Sequence, residues 1–186
     1  MAQGNEFSTG GNIVDGQDSQ PFWTQTHEDE RYPIGTLRVE PADETADAEH
    51  TDGTALGLKG DRTWMFVRAK EAIDIYDCCS IWTGGSGPES YMVQPAASTG
   101  MNALDIVGVA QTGVTDEYYF WILVQGECVV NGAAGITVGQ FLDTNGGVSA
   151  GQVDDDTTAG NLIGRALSTT DTPVSGTIRA RLIGLL

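Results

Sequence analysis

The side chains with catalytic potential are few, and their spacing assembles no reaction centre. There are two histidines, His27 and His50. A histidine base must reach the hydroxyl or thiol it activates. His27 lies in a polar N-terminal stretch and His50 in an acidic run, and neither neighbours a Ser or Cys nucleophile in sequence. Of the three cysteines, Cys78 and Cys79 are adjacent and Cys128 sits inside an apolar run. Adjacent cysteines rarely bridge, and an odd count gives no disulfide framework. They read as small buried hydrophobes in a reducing compartment. The loop Gly84-Gly85-Ser86-Gly87 resembles a phosphate cradle, but it lacks the following Lys and a helical pattern, so it reads as a turn. No paired Cys-x-x-Cys, His-Glu-x-x-His or Walker loop occurs.

Carboxylates are abundant, so a glycosidase-like pair stays open on count alone. The acidic run at 40–52, EPADETADAEHTD, lacks the Gly-centred spacing of a calcium loop and reads as a solvated loop. Trp64, Trp82 and Trp121 would stack on sugar rings if exposed. Trp121 lies in the most apolar run and reads as core, whereas Trp23 is the tryptophan least explained by a core. The expectation is a protein that is not an enzyme, with no cofactor and no metal.

Charge narrows the partner class. The 186 residues carry 26 acids against 9 bases, a net charge of −17. A nucleic-acid binder needs a basic patch to neutralise phosphates, and an anionic membrane surface needs the same. This balance suits a partner protein with a basic or neutral face. The N-terminus has no basic n-region or apolar h-region, so no secretory signal is expected, and no run is long and apolar enough to span a membrane as a helix.

The elements that must position these residues are strands. The longest apolar run, YYFWILVQGECVV at 118–130, is rich in aromatic and β-branched residues. With period two, Tyr118, Phe120, Ile122 and Val124 point one way, and Tyr119, Trp121 and Leu123 the other. Both faces are apolar, which predicts a central strand covered on both sides. RTWMFVRA at 62–69 alternates in the same way, with Thr63, Met65, Val67 and Ala69 opposed to Trp64 and Phe66. Further strands are predicted at 32–39, within 72–82, and at 90–94, 104–111, 136–144, 148–153, 161–167 and 177–186. The runs at 104–111 and 118–130 could form a hairpin with a loop of about six residues. In the last run Ile178, Ala180 and Leu182 point inward, and Arg179 and Arg181 outward. About nine or ten short strands without a long helix predict an all-β fold, a single β-barrel or β-sandwich domain. The body spans 32–186, with an acidic loop at 40–61. Residues 1–31 read as an extended N-terminal arm whose scattered apolar anchors are Phe7, Ile13, Val14, Phe22 and Trp23.

The order of segments carries a resemblance. TWMFVRAKEAIDIYDCC (63–79), Gly-Val-Ala-Gln (108–111), Tyr-Tyr-Phe-Trp-Ile-Leu-Val-Gln-Gly (118–126), a glycine-punctuated strand at 135–143 and Asn-Leu-Ile-Gly-Arg-Ala-Leu (161–167) follow one another. Together they resemble the head decoration, or capsid cement, proteins of tailed bacteriophages. The resemblance covers roughly residues 32–186 and is one of texture and order. It implies a structural virion protein, made in the host cytoplasm, that sits on the outer capsid surface. It implies a homo-oligomer, a trimer, whose partner is the major capsid protein and whose contacts stabilise neighbouring capsid subunits. In that setting the five arm anchors would be the capsid-binding residues, with no direct contact to nucleic acid or membrane. The alternative is a tail or head-fibre component with a carbohydrate-binding role.

Overall fold

In the computed structural model, residues 21–46, 57–82, 92–96, 106–144, 149–155, 162–168 and 176–183 are described. Their strands, in chain order, are β1 (Leu37–Glu40), β2 (Arg62–Ala69), β3 (Cys78–Ile81), β4 (Met92–Pro95) and β5 (Ile106–Ala110). These are followed by β6 (Tyr119–Asn131), β7 (Phe141–Asp143), β8 (Asp154–Asp155), β9 (Gly164–Ala166) and β10 (Thr177–Leu182). A 3-10 turn at Phe22–Thr24 and a short helix, α1 (Ala42–Ala46), complete the described elements.

The strands form one sheet in the order β1-β2-β4-β3-β5-β6-β10-β9-β7-β8, and β2 also pairs with β6. That extra pairing closes β2, β4, β3, β5 and β6 into a ring. The single parallel contact in it is β2 with β4. The first half of β6 belongs to the ring, paired from Tyr119 to Gln125 with β2. Its second half, Gly126 to Asn131, pairs with β10 and so carries β9, β7 and β8. The all-β expectation holds, and the 118–130 run is the element that both parts of the sheet share.

The two faces of β6 enter two different cores. Phe120, Ile122 and Val124 pack with Met65, Val67, Cys79, Val93, Val107 and Ala110, a cluster drawn from all five ring strands. Trp121 and Leu123 pack with Trp64 and Phe66 and continue through Cys128 and Val130 to Leu142, Ala166, Ile178, Ala180 and Leu182. A strand buried on both faces needs apolar residues at every position, which is why the run shows no polar alternation. The β5–β6 hairpin forms as expected, with Val109 opposite Leu123. Gly108 permits it: a Cβ there would sit 2.2 Å from the Leu123 carbonyl oxygen.

Backbone and carboxylate contacts tie the ring to the 149–155 segment. Cys78 N–H donates to the Gly151 carbonyl (2.8 Å), Gly151 N–H to Ala96 (2.9 Å), and Ala96 N–H back to Cys78 (2.8 Å). Asp77 Oδ1 accepts from Asn131 Nδ2 at 2.9 Å. Gly151 has φ +80°, and a Cβ on it would meet the Asp77 carboxyl carbon at 2.4 Å. Burial pushes the Asp77 carboxyl up, partly offset by the Asn131 hydrogen bond.

Several expectations need correction. The strand expected at 32–39 begins only at Leu37, because residues 33–36 turn, with Thr36 N–H donating to the Pro33 carbonyl. The acidic stretch does not begin as a solvated loop: Glu40 is buried and Ala42–Ala46 is helical. The strand expected at 148–153 lies later, at Asp154–Asp155, since Gly151 takes a left-handed turn first. In the run at 136–144 only Phe141–Asp143 pairs as a strand. The turn at 83–88 lies outside the described residues.

Candidate protein-docking surface

Arg62 is the first residue of β2 and Glu40 the last of β1, and the antiparallel register places them opposite each other. Both are buried. Arg62 donates from Nε to Glu40 Oε2 (2.8 Å) and from Nη2 to Oε1 (2.6 Å). Trp64, two residues on and so on the same face, donates its indole N–H to Glu40 Oε2 at 2.8 Å. The guanidinium lies beside two stacked rings, 4.9 Å from Trp64 and 5.3 Å from Trp23. Among the described residues Arg62 Nη1 has no hydrogen-bond partner. A forked, charge-assisted pair of this kind fixes geometry as well as energy.

That ion pair is the floor on which the N-terminal segment lies. Trp23 stacks on Trp64 with centroids 5.7 Å apart and planes 5° from parallel. Phe22 meets Trp64 and Trp121 edge-on at 5.8 and 5.4 Å. Arg38 of β1 covers the other side of Phe22, 3.7 Å from its centroid. Farther along, His27 exchanges two backbone hydrogen bonds with Tyr119, at 2.9 and 2.8 Å. Glu28 accepts from the Tyr118 hydroxyl at 2.5 Å, which raises that phenol's pKa. Burial first, and the nearby Arg31 second, push the His27 imidazole below its ordinary value.

These contacts change the reading of the arm. Phe22 and Trp23 were expected to reach a capsid, yet they are 8% and 6% exposed within their own chain's core. The reason is local: two large rings beside a buried cation gain more from Trp64, Trp121 and Arg62 than from water. Residues 21–31 therefore belong with the body. Phe7, Ile13 and Val14 lie outside the described residues. Trp23, which looked least like core, is core. Trp64 and Trp121 are buried and offer no ring face to a sugar, and Trp82 is half-buried with the Lys70 ammonium 5.0 Å from its ring. All three cysteines are buried and unpaired. Among the described residues no group of three or more metal-ligating side chains gathers.

The exposed counterpart of this anchor is β1 itself. Among the described residues β1 pairs with β2 alone, leaving one edge unpaired. Arg38 and Glu40 face the anchor, so Leu37 and Val39 face away, and they are 53% and 60% exposed. Leu37 lies opposite Met65, a member of the ring core, so the exposed pair extends a buried apolar face past its last paired strand. A free edge with outward aliphatic side chains and no Lys or Pro is a template for an added strand. Reading the sequence alone misses this surface. The alternation Leu-Arg-Val-Glu signals a strand with two unlike faces, but nothing local says that the apolar one is outside.

No protein-family model and no curated protein matches this sequence. Among solved structures, the head fiber gp8.5 N base in bacteriophage phi29 is similar to this chain at 16% identity with a TM-score of 0.45, over 64% of this chain and 92% of that one.

Proposed function

We propose that this chain is a structural protein of a tailed-phage virion that docks on the outer surface of the head. In this reading it strengthens contacts between major capsid subunits and works as a homo-oligomer, a trimer. It catalyses nothing and holds no cofactor. The observation that carries a docking role is the outer edge of β1, which among the described residues pairs with β2 alone and turns Leu37 and Val39 to solvent. The 63–79 and 108–167 segment order described above directs the role to a phage head. Phe7, Ile13 and Val14, outside the described residues, would be further capsid contacts in this reading. Added strands draw affinity from main-chain hydrogen bonds and specificity from alternate side chains.

The test is co-sedimentation of the full chain with purified phage capsids. The wild type should decorate them, and Leu37→Asp/Val39→Asp should weaken decoration by at least about tenfold, the effect of losing a hot-spot pair. Both side chains are more than half exposed, so the unfolding midpoint should stay put. Unchanged decoration by that variant sinks the docking role of β1. A wild type that ignores capsids, while a glycan quenches its tryptophan fluorescence, would replace this reading with the fibre one.

A further inference from the structure

The strongest unexplained feature is a cationic face on an acidic protein. The register aligns Phe141, Arg165, Arg181 and Glu127 in one row across β7, β9, β10 and β6. Cross-strand partners share a face, and so do residues two apart on a strand. Arg179 and Ile183 therefore join Arg181 on this side, and so do the buried Asp143, two residues from Phe141, and its cross-strand partner Asp154. Arg165 and Arg181 are exposed, and Phe141 and Ile183 are 47% and 59% exposed. The Arg165 guanidinium lies 4.9 Å from the Phe141 ring centroid. Among the described residues Arg179 Nη1 donates to the Gly57 carbonyl, at 3.3 Å. The one acid on this row, Glu127, is already occupied by Arg181 Nη2 (2.5 Å) and the Lys59 backbone N–H (2.9 Å). Neither Arg165 nor Arg179 has a carboxylate partner among the described residues. Three bases elsewhere are paired with carboxylates: Arg62 with Glu40, and Arg68 and Lys70 together with Glu117.

We propose that this face of the β7–β9–β10–β6 sheet is a docking surface for an extended, carboxylate-rich segment of a partner protein. Spacing supports an extended segment. Arg179 and Arg181 stand two residues apart on one strand, about 6.8 Å, the same step that separates alternate side chains of an extended chain. Arg165 lies on the neighbouring strand, about 4.8 Å to the side. Arg165 and Arg179, with the remaining donors of Arg181 beside its Glu127 contact, match carboxylates at alternate positions, which planar forks hold in pairs of hydrogen bonds. Phe141 and Ile183 give the intervening side chains an apolar contact, and Arg beside an aromatic is the composition of an interface core. A long polyanion is a poor fit. At physiological salt a charge feels its surroundings over about 8 Å, so a strand of phosphates running past this patch meets the repulsion of a chain with net charge −17. This face is independent of the β1 edge.

The test uses the full chain and a short fluorescein-labelled peptide of alternating Glu and Val, read by fluorescence anisotropy. The peptide should bind at low salt and weaken at least about tenfold in about 1 M salt. Its counterpart with Lys for Glu should not bind. Arg165→Glu should weaken binding at least about tenfold, and Arg165→Gln less, whereas Arg31→Glu, in the N-terminal segment, should leave it unchanged. Arg165 is exposed, so these variants should fold, which unreactive thiols would confirm. Absence of binding, or binding that Arg165→Glu leaves intact, overturns the proposal. So does equal competition by inorganic polyphosphate, which would make the face a general anion sink. A mass that rises with concentration and falls in Arg165→Glu, without peptide binding, would make a second copy the occupant and likewise overturn it.

Discussion

Replacing Glu40 by Ala should be among the most destabilising changes available to this protein. The substitution leaves the Arg62 charge fully buried with no carboxylate, and it strips the Trp64 indole N–H of its acceptor. Breaking a buried pair by removing one partner costs about 3–5 kcal/mol, because the surviving charge stays desolvated. An orphaned indole N–H alone costs about 1–3 kcal/mol. The two losses share one site and do not add in full. A total near 4 kcal/mol is expected, a large share of the roughly 5–15 kcal/mol that holds a domain folded. With an m-value of about 2 kcal/mol/M, the urea midpoint falls by about 2 M. The same Glu40 fixes the Arg62 guanidinium beside Trp23 and Trp64, so the near-ultraviolet circular dichroism of that stacked pair should weaken even in the absence of urea. The double variant Glu40→Ala/Arg62→Met discriminates the cause. It removes both charges and leaves mainly the orphaned indole, so it should lose only about 1–3 kcal/mol. Equilibrium urea unfolding of the three proteins decides the matter. A cost below about 1 kcal/mol for Glu40→Ala, or a double variant no better than the single one, refutes the argument from buried charge.

Other consequences follow from the same contacts. Trp121→Ala should cost about 3–5 kcal/mol in the same assay, since the ring is buried against Phe22, Tyr32 and Phe66. Gly108→Ala should open the β5–β6 hairpin, because its Cβ would lie within 3 Å of the Leu123 backbone; loss of amide protection at the facing pair Val109 and Leu123 would register it. Burial pushes the Cys128 thiol up to about 12 and Cys78 higher still, so a thiol reagent at neutral pH should label no cysteine until the protein unfolds, and rapid labelling of the native state would contradict their placement. His27 has a folded pKa below its unfolded value near 6.5, so its contribution to stability is present above that pH and is lost as the pH falls through the folded pKa. Stability measured from pH 7 downward should therefore fall less steeply in His27→Gln than in the wild type.

How much could be read beforehand differs from element to element. The run at 118–130 is legible because a strand covered on both sides must be apolar at every position, and its two predicted faces enter separate cores. The faces of Arg62–Ala69 and Thr177–Leu182 are legible for the complementary reason: alternation on a pleated strand is a local, two-residue property. It placed Arg179 and Arg181 outward before any partner was known. The short pairs at Phe141–Asp143 and Asp154–Asp155 leave too few residues for a period to show.

Composition and periodicity alone determined the all-β class, the central strand and the inward and outward sides of the long strands. Tertiary structure decided everything that depends on residues distant in sequence. Phe22 and Trp23 looked like an arm because their neighbours are polar, yet they are core because β2 and β6 bring Trp64, Trp121 and a buried guanidinium beneath them. Glu40 looked like the start of a solvated acidic loop, yet it is buried because the β1–β2 register sets Arg62 opposite it. The exposed Leu37 and Val39 and the clustered arginines arise in the same way. A side chain's periodicity is written in its neighbours along the chain, whereas its burial, its charge partner and its place on a shared surface are set by strands that meet only when the sheet closes.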